Sequence, residues 1–169
     1  MKLSRGLLLS TTILFSHLAY SSTQDLAGLW RSVDDKTGFS KGIVEIKKEN
    51  NGTYSGTIIE IIPRPGYVAK THCYKCPEPY KDKPILGMQV LKNMKPDPKK
   101  PGEYLGGTIM DPVSGNLYKS KIKLNSLGNR IALRGFVGVE VLGRTQYWIR
   151  HNPPAVPTST EPKLEKTAE

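Results

Sequence analysis

Two cysteines, Cys73 and Cys76, are the residues of this chain with the widest choice of chemistry. A Cys-x-x-Cys pair can exchange disulfides, contribute to a metal site or form a structural disulfide. A redox-active pair usually lies at the N-terminus of a helix, whose dipole lowers the thiol pKa. Because Pro77, Pro79 and Pro84 follow, a long helix is disfavoured here. We therefore predict a structural disulfide, with thiol–disulfide exchange as the lesser alternative.

Candidates for a metal or catalytic centre are few. A zinc site takes four ligands, and beyond the N-terminal segment only His72 and His151 could join the cysteines. His72 is adjacent to Cys73, which is poor geometry for a shared ion. The chain carries no Ser-His-Asp signature, phosphate-binding glycine loop or histidine-based metal motif. We expect a protein that is not an enzyme and that holds neither a metal nor a cofactor.

The chain is basic, with a formal charge of +10. Such a surface favours acidic partners, among them anionic lipid, lipopolysaccharide and acidic glycans. The basic stretch 92–100 and the row Lys119, Lys121 and Lys123 would form the contact surface. The same lysines alternate with apolar residues, which is typical of the solvated face of a strand. Both interpretations stay open: a surface adaptor with peripheral contact to anionic envelope surfaces, or an ordinary solvated face.

The two ends of the chain differ from its middle. Residues 1–21 have the form of an export signal, with Lys2 and Arg5 ahead of a short apolar run and small residues near its end. The run is about half the ~20 residues that span a bilayer, so a retained anchor is the weaker alternative. Residues 153–169 are rich in proline and polar residues, and we predict a disordered tail. A secreted or periplasmic protein with one domain at 22–152 is expected, without a nucleic-acid partner.

The central region consists of short β-prone segments separated by turn residues. The predicted strands are 28–33, 42–48, 53–62, 85–91, 103–110, 117–124, 130–137 and 144–150. In 117–124 the three lysines alternate with Tyr118, Ser120, Ile122 and Leu124, the period-two pattern of a half-buried strand. Short connections favour an all-β fold, a closed eight-stranded antiparallel up-and-down barrel or a sandwich. Residues 63–84, with five prolines and both cysteines, form a long connection typical of a lid or binding loop.

Several motifs of the chain resemble those of a family of uncharacterised exported bacterial proteins that carry a lipocalin-like (calycin) domain. The matching motifs are Gly28-Leu29-Trp30, Cys73-Tyr74-Lys75-Cys76, Pro84-Ile85-Leu86-Gly87, Gly107-Thr108-Ile109-Met110-Asp111-Pro112, Gly115-Asn116-Leu117-Tyr118, Leu133-Arg134-Gly135-Phe136 and Gly143-Arg144-Thr145-Gln146-Tyr147-Trp148. The resemblance implies a lipocalin-like barrel and export. It also implies that the Trp30 indole packs against a basic residue from the last strand, for which Arg150 is the first choice and Arg134 the second.

The leading hypothesis is a protein that binds a small ligand inside the barrel. The candidate lining residues combine aromatic rings with a few polar groups, as an amphipathic or anionic, fatty-acid-like ligand would require; they are Tyr54, Tyr118, Ser120, Arg134 and Tyr147. An arginine buried in a small barrel is costly unless it is paired. We therefore expect Arg134 to meet either a carboxylate of the protein or the head group of an anionic ligand.

Overall fold

The computed structural model describes residues 25–153. The predicted signal at 1–21 and all but the first residue of the predicted tail lie outside this range. The strands are β1 Gly28–Val33, β2 Ser40–Lys48, β3 Tyr54–Ile61, β4 Gln89–Pro96, β5 Glu103–Met110, β6 Leu117–Leu124, β7 Arg130–Phe136 and β8 Arg144–Arg150. One 3-10 turn, Glu140–Leu142, precedes β8. Within residues 25–153, no helix is long and apolar enough to cross a membrane.

The strands form one closed barrel in which each pairs antiparallel with its neighbours in sequence. β8 returns to β1 and closes the sheet, with Trp30 opposite Arg150 and Ser32 opposite Trp148. Closure leaves no unpaired strand edge. The prediction of an eight-stranded up-and-down barrel is therefore confirmed, and the sandwich alternative is wrong.

The largest difference from the predicted strands concerns β4. It begins at Gln89 rather than at residue 85 and runs through Pro96, into the basic stretch 92–100, which lay outside the predicted strands. Lys92 pairs with Thr108 and Lys95 with Leu105, so half of that stretch belongs to the sheet. Ile85 belongs instead to the long connection, where its N–H donates to the Thr71 carbonyl.

The connections divide the barrel into two ends. At the open end lie 34–39, 62–88, 111–116 and 137–143, and at the closed end lie 49–53, 97–102 and 125–129. The closed half is packed solid by inward-facing side chains, including Trp30, Ile46, Leu91, Met94, Ile122 and Ile131. The Trp30 Nε1 donates to the Leu26 carbonyl at 2.8 Å, so the segment before β1 seals this end.

The long connection 62–88 is held by a small core of its own. Cys73 and Cys76 form a disulfide, as predicted. Both cysteines are buried against Ile85, Met88 and Met110. The backbone at Lys75 passes so close to Gly115 that a side chain there would overlap the Lys75 carbonyl. The small loop that the disulfide closes therefore packs directly against the turn between β5 and β6.

Candidate functional site

The open half of the barrel encloses a cavity of about 530 Å³. It lies between the packed closed half and the open-end connections. Its walls are the inward-facing residues of the strands, because side chains alternate between the two faces of a sheet. The barrel is thus half filled and half hollow. The volume of the cavity lies within the range of small-molecule sites.

One side of the cavity is apolar. Strands β2 to β5 contribute aliphatic side chains and a thioether, among them Val44, Ile58, Val90, Ile109 and Met110. Ile61 and Ile85 extend this surface toward the mouth. We call it the apolar wall. It offers dispersion contacts and desolvation to a hydrocarbon surface, without hydrogen bonds.

The other side carries polar groups. Ser32, Tyr118, Gln146 and Trp148 line it from β1, β6 and β8, and we call it the polar wall. The Ser32 hydroxyl donates to the Gly42 carbonyl at 3.1 Å, and the Tyr118 hydroxyl lies 3.2 Å from Asn116 Nδ2. The Trp148 Nε1 is buried and finds no acceptor among residues 25–153. An indole N–H without a protein acceptor is uncommon in a folded interior.

Charged residues surround the mouth. Arg144 at the start of β8 forms an ion pair with Asp35, and its hydrogen bonds hold the pKa of that carboxyl below its ordinary value. Asp34 accepts hydrogen bonds from the Thr37 hydroxyl and backbone, which lower the pKa of Asp34. Both carboxylates are therefore engaged by the protein itself.

Four cations near the mouth form no ion pair within the described part of the chain: Lys36, Lys41, Arg64 and Lys70. The charge of Lys41 nevertheless helps to lower the pKa of Asp34. The Arg64 guanidinium stacks on the Tyr67 ring at 4.1 Å. Two more carboxylates line the cavity: Asp111 accepts hydrogen bonds from Val113 and Ser114, and Glu60 forms no ion pair within residues 25–153. Cations without an ion pair therefore still outnumber carboxylates without a partner among the described lining residues.

Of the five predicted lining residues, the structure places Tyr118 in the cavity wall. Ser120 lies deeper on the same strand, buried, with its hydroxyl 3.1 Å from the Met94 sulfur. Tyr54 lies in the closed half against Tyr104, with ring centroids 5.2 Å apart. Burial there raises the pKa of Tyr54. Ser120 and Tyr54 thus belong to the packed half and not to the walls.

The expected positions of Arg134 and Tyr147 inside the barrel are wrong. Their neighbours Leu133 and Trp148 face inward, so both side chains face outward. The Arg134 guanidinium donates to the Glu140 and Val141 carbonyls at 2.8 and 2.9 Å and so holds the connection between β7 and β8. Tyr147 is half exposed. Arg134 therefore has backbone partners, instead of the carboxylate or anionic head group that we expected.

The structure places Arg150 over Trp30, with the guanidinium carbon 4.3 Å from the ring centroid. Arg134, the second choice for this role, lies on the outer face. Arg150 also donates three hydrogen bonds to backbone carbonyls at the closed end, those of Gly128, Ala27 and Asp25. This arrangement closes the barrel at the end opposite the cavity.

Sequence reasoning missed Gln146 and Trp148 as lining residues. Both lie on the inner face of β8, two residues apart, on the same side as Arg144. The signal was present in the chain: the three occupy alternate positions, and Trp148 is the largest apolar side chain of the segment. We had assigned Tyr147 to the interior instead, and this exchanged the inner and outer faces of β8.

The contact surface considered for acidic partners is partly neutralised. Lys121 forms ion pairs with Glu103 at 3.4 Å and Glu140 at 3.5 Å. Lys123 lies 3.9 Å from Glu103. Lys92 stacks over the Tyr80 ring at 4.6 Å. Surface ion pairs contribute little to stability, but they reduce the charge that this surface offers to an anionic partner.

Comparison with known proteins gave one family and one solved structure. Residues 28–150 match the family model described as "Uncharacterized protein conserved in bacteria (DUF2147)". The barrel is similar to the structure of protein HP1028 from Helicobacter pylori, described as belonging to the lipocalin family. The sequences are 22% identical, the TM-score is 0.62, and the match covers 76% of this chain and 84% of that one. No significant match was found among curated proteins.

Proposed function

This chain belongs to the bacterial family whose model spans residues 28–150, and from its lipocalin-like barrel we propose that it binds a small amphipathic molecule in the open half. The observation that carries the proposal is the cavity of about 530 Å³ above a solid floor. Small-molecule sites are typically concave, mostly apolar and supplied with a few polar groups. This cavity has each of those properties.

The two unlike walls define the kind of amphipathic molecule. A ligand with its polar group at one end only would lay hydrocarbon against Gln146 and Trp148 as well as against the apolar wall. Hydrogen-bonding groups covered by hydrocarbon cost free energy. A ligand with polar groups along one edge would match both walls. We therefore favour a molecule polar along one side over a simple fatty acid.

Unpaired cations at the mouth support a ligand that carries negative charge at its outer end. Lys41 and Lys70 both line the cavity near its opening. The Lys70 Nζ lies 3.5 Å from the Val113 carbonyl, which holds this ammonium group beside the mouth. These residues take the role that we had assigned to Arg134. An anionic group placed there would stay partly hydrated, which limits its desolvation cost.

We propose a carrier or sensor without a catalytic step, exported to the periplasm or beyond. In support, the Asp34 and Asp35 carboxylates at the mouth are engaged by Thr37 and Arg144. The disulfide is buried, so attack on it by an external thiolate is hindered. Thiol–disulfide exchange is therefore a weak alternative.

Ligand binding can be measured through Trp148, one of only two tryptophans in the chain. Three compounds are compared. Palmitate has an anionic end group, hexadecanol has a neutral end group, and cholate is polar along one face. We expect cholate to change Trp148 fluorescence and raise the melting temperature most, because a ligand that binds only the folded state stabilises it.

Variants separate cavity binding from adsorption to the surface. Ile109→Phe fills the apolar wall and should abolish the response to all three compounds. Gln146→Leu should weaken the binding of cholate more than the binding of palmitate. Tyr147→Phe, on the outer face, is the matched control and should bind like the parent. The proposal fails if none of the compounds shifts the melting temperature, or if Ile109→Phe folds and still responds.

A further inference from the structure

Exposed apolar side chains are concentrated on the connections around the mouth of the cavity. Each of the four open-end connections carries at least one. The most exposed are Val68 at 91%, Leu142 at 81% and Val141 at 79%. Phe39 and Val113 add apolar side chains from two further connections. Scattered surface hydrophobics need no explanation, whereas a group of them at one end of a molecule indicates a contact surface.

The closed end provides a comparison within the same molecule. On its three connections, within the described residues, Leu127 alone is a large exposed hydrophobic side chain. The Asp25 carbonyl accepts a hydrogen bond from Arg150, so both described ends of the domain also lie there. The apolar exposure is therefore a property of the open end and not of connections in general.

Contacts between the open-end connections make them one continuous rim. The Asp35–Arg144 ion pair joins the connection after β1 to the one before β8. Arg64 lies 3.4 Å from the Thr37 hydroxyl, and Lys70 lies 3.5 Å from the Val113 carbonyl. These contacts link the long connection to its neighbours on either side. The apolar tips thus share one face, which we call the apolar rim.

The cations of the mouth lie on or beside this rim. Lys36, Lys41 and Lys70 have no ion pair within residues 25–153. Apolar side chains that project between basic residues are what interfacial binding to an anionic bilayer requires. The apolar groups enter the region of the headgroups, while each nearby ammonium meets lipid phosphate.

We propose that the apolar rim docks on the surface of an anionic lipid bilayer, with the mouth of the cavity facing the lipid. The surface differs from the lysine row and the 92–100 stretch considered earlier, because its binding force is apolar insertion assisted by charge. Docking in this orientation gives a membrane-dissolved ligand a route into the cavity that avoids water.

Vesicle co-sedimentation tests the docking directly. We expect the protein to bind vesicles that contain phosphatidylglycerol and to bind pure phosphatidylcholine vesicles weakly. The triple variant Val139→Ser, Val141→Ser, Leu142→Ser should bind the anionic vesicles roughly tenfold more weakly or worse, since it removes three inserting side chains. Leu127→Ser, equally exposed but at the closed end, is the matched control and should bind like the parent.

A second set of variants tests the charge contribution. Lys36→Gln, Lys41→Gln and Lys70→Gln together should weaken binding to anionic vesicles and reduce its dependence on salt. Lys99→Gln with Lys100→Gln removes positive charge from the closed end and should have a much smaller effect. If both sets of lysine variants lost the same affinity for anionic vesicles, net charge alone would account for binding and the proposed orientation would be overturned.

Two further outcomes contradict the proposal. One is that the parent protein fails to bind anionic vesicles. The other is that sedimentation in lipid-free buffer shows a dimer that the triple serine variant converts to monomer, because the apolar rim would then join two copies of this chain. Fluorescence titration with cholate in the absence of vesicles reports on the cavity separately, so failure of docking and failure of ligand binding are distinguishable.

Discussion

Replacement of Arg150 tests how the barrel is closed. Its guanidinium lies 4.3 Å from the Trp30 ring centroid. It also donates to the carbonyls of Gly128 at 2.6 Å, Ala27 at 3.0 Å and Asp25 at 2.7 Å. These contacts join the last strand, the connection before β7 and the segment ahead of β1. Arg150→Met keeps much of the apolar stem and removes every one of these polar contacts.

The expected loss follows from those contacts. A hydrogen bond from a charged donor contributes about 1.5–3 kcal/mol where its acceptor becomes unpaired. Because Asp25 is exposed and Ala27 half-buried, water replaces part of this loss, and about 1 kcal/mol per bond is a reasonable average. Stacking on Trp30 adds about 1 kcal/mol. The free energy of unfolding should fall by about 4 kcal/mol, which lowers the melting temperature by roughly 15 °C.

The matched control is Arg130→Met. Arg130 also stacks on an aromatic ring, that of Tyr147 at 5.1 Å, but on the exposed outer face. The free energy of unfolding of this variant should fall by less than about 1 kcal/mol. Arg150→Lys should fall between the two, because lysine keeps the charge and loses the planar fork. Urea denaturation followed by circular dichroism measures all three. Equal losses in Arg150→Met and Arg130→Met would refute the clamp that we attribute to Arg150.

Two further predictions concern the open end and the buried tyrosines. Gly115→Ala should lower the free energy of unfolding by about 3 kcal/mol, because φ at this position is 78° and the new methyl would overlap the Lys75 carbonyl. Gly138→Ala is the control: its φ is 73° but the space around it is open, so the loss should be about 1 kcal/mol. Urea denaturation measures both variants. Burial raises the pKa of Tyr54 and Tyr104 above 10.0, so the folded state keeps protons that the unfolded chain loses. Stability should then be full below about pH 10 and fall at higher pH, and Tyr54→Phe should flatten that decline; an unchanged pH profile would contradict it.

The barrel could be predicted from the sequence because a half-buried strand alternates polar and apolar residues, and that alternation is visible in the chain. The lysines at 119, 121 and 123 alternate with inward residues, and that pattern fixes both the strand and its outer face. The sequence predicted β4 poorly, because proline and lysine at 92–96 resemble a loop when read locally. Lys95 and Pro96 lie in the sheet because β5 pairs with them, and no local signal reports that pairing.

The lining of the cavity was harder to predict, and β8 shows why. Tyr147 was expected to face inward, and the face that it shares with Thr145 and Ile149 is the more apolar one when the strand is read alone. The structure turns the opposite face inward, because Trp148 lies opposite Ser32 and Ile131 when the barrel closes. Polar Gln146 is tolerated there because it borders a cavity instead of a packed core.

The chain by itself therefore determined most of the strands, through their periodicity, and the disulfide, through the Cys-x-x-Cys pair and the prolines that follow it; the closing Trp30–Arg150 pair was implied by the family resemblance. Only the tertiary structure decided which face of β8 points inward and how far the core fills the barrel. The empty volume depends on the sizes of side chains from all eight strands together, and a local pattern along one strand does not contain that information.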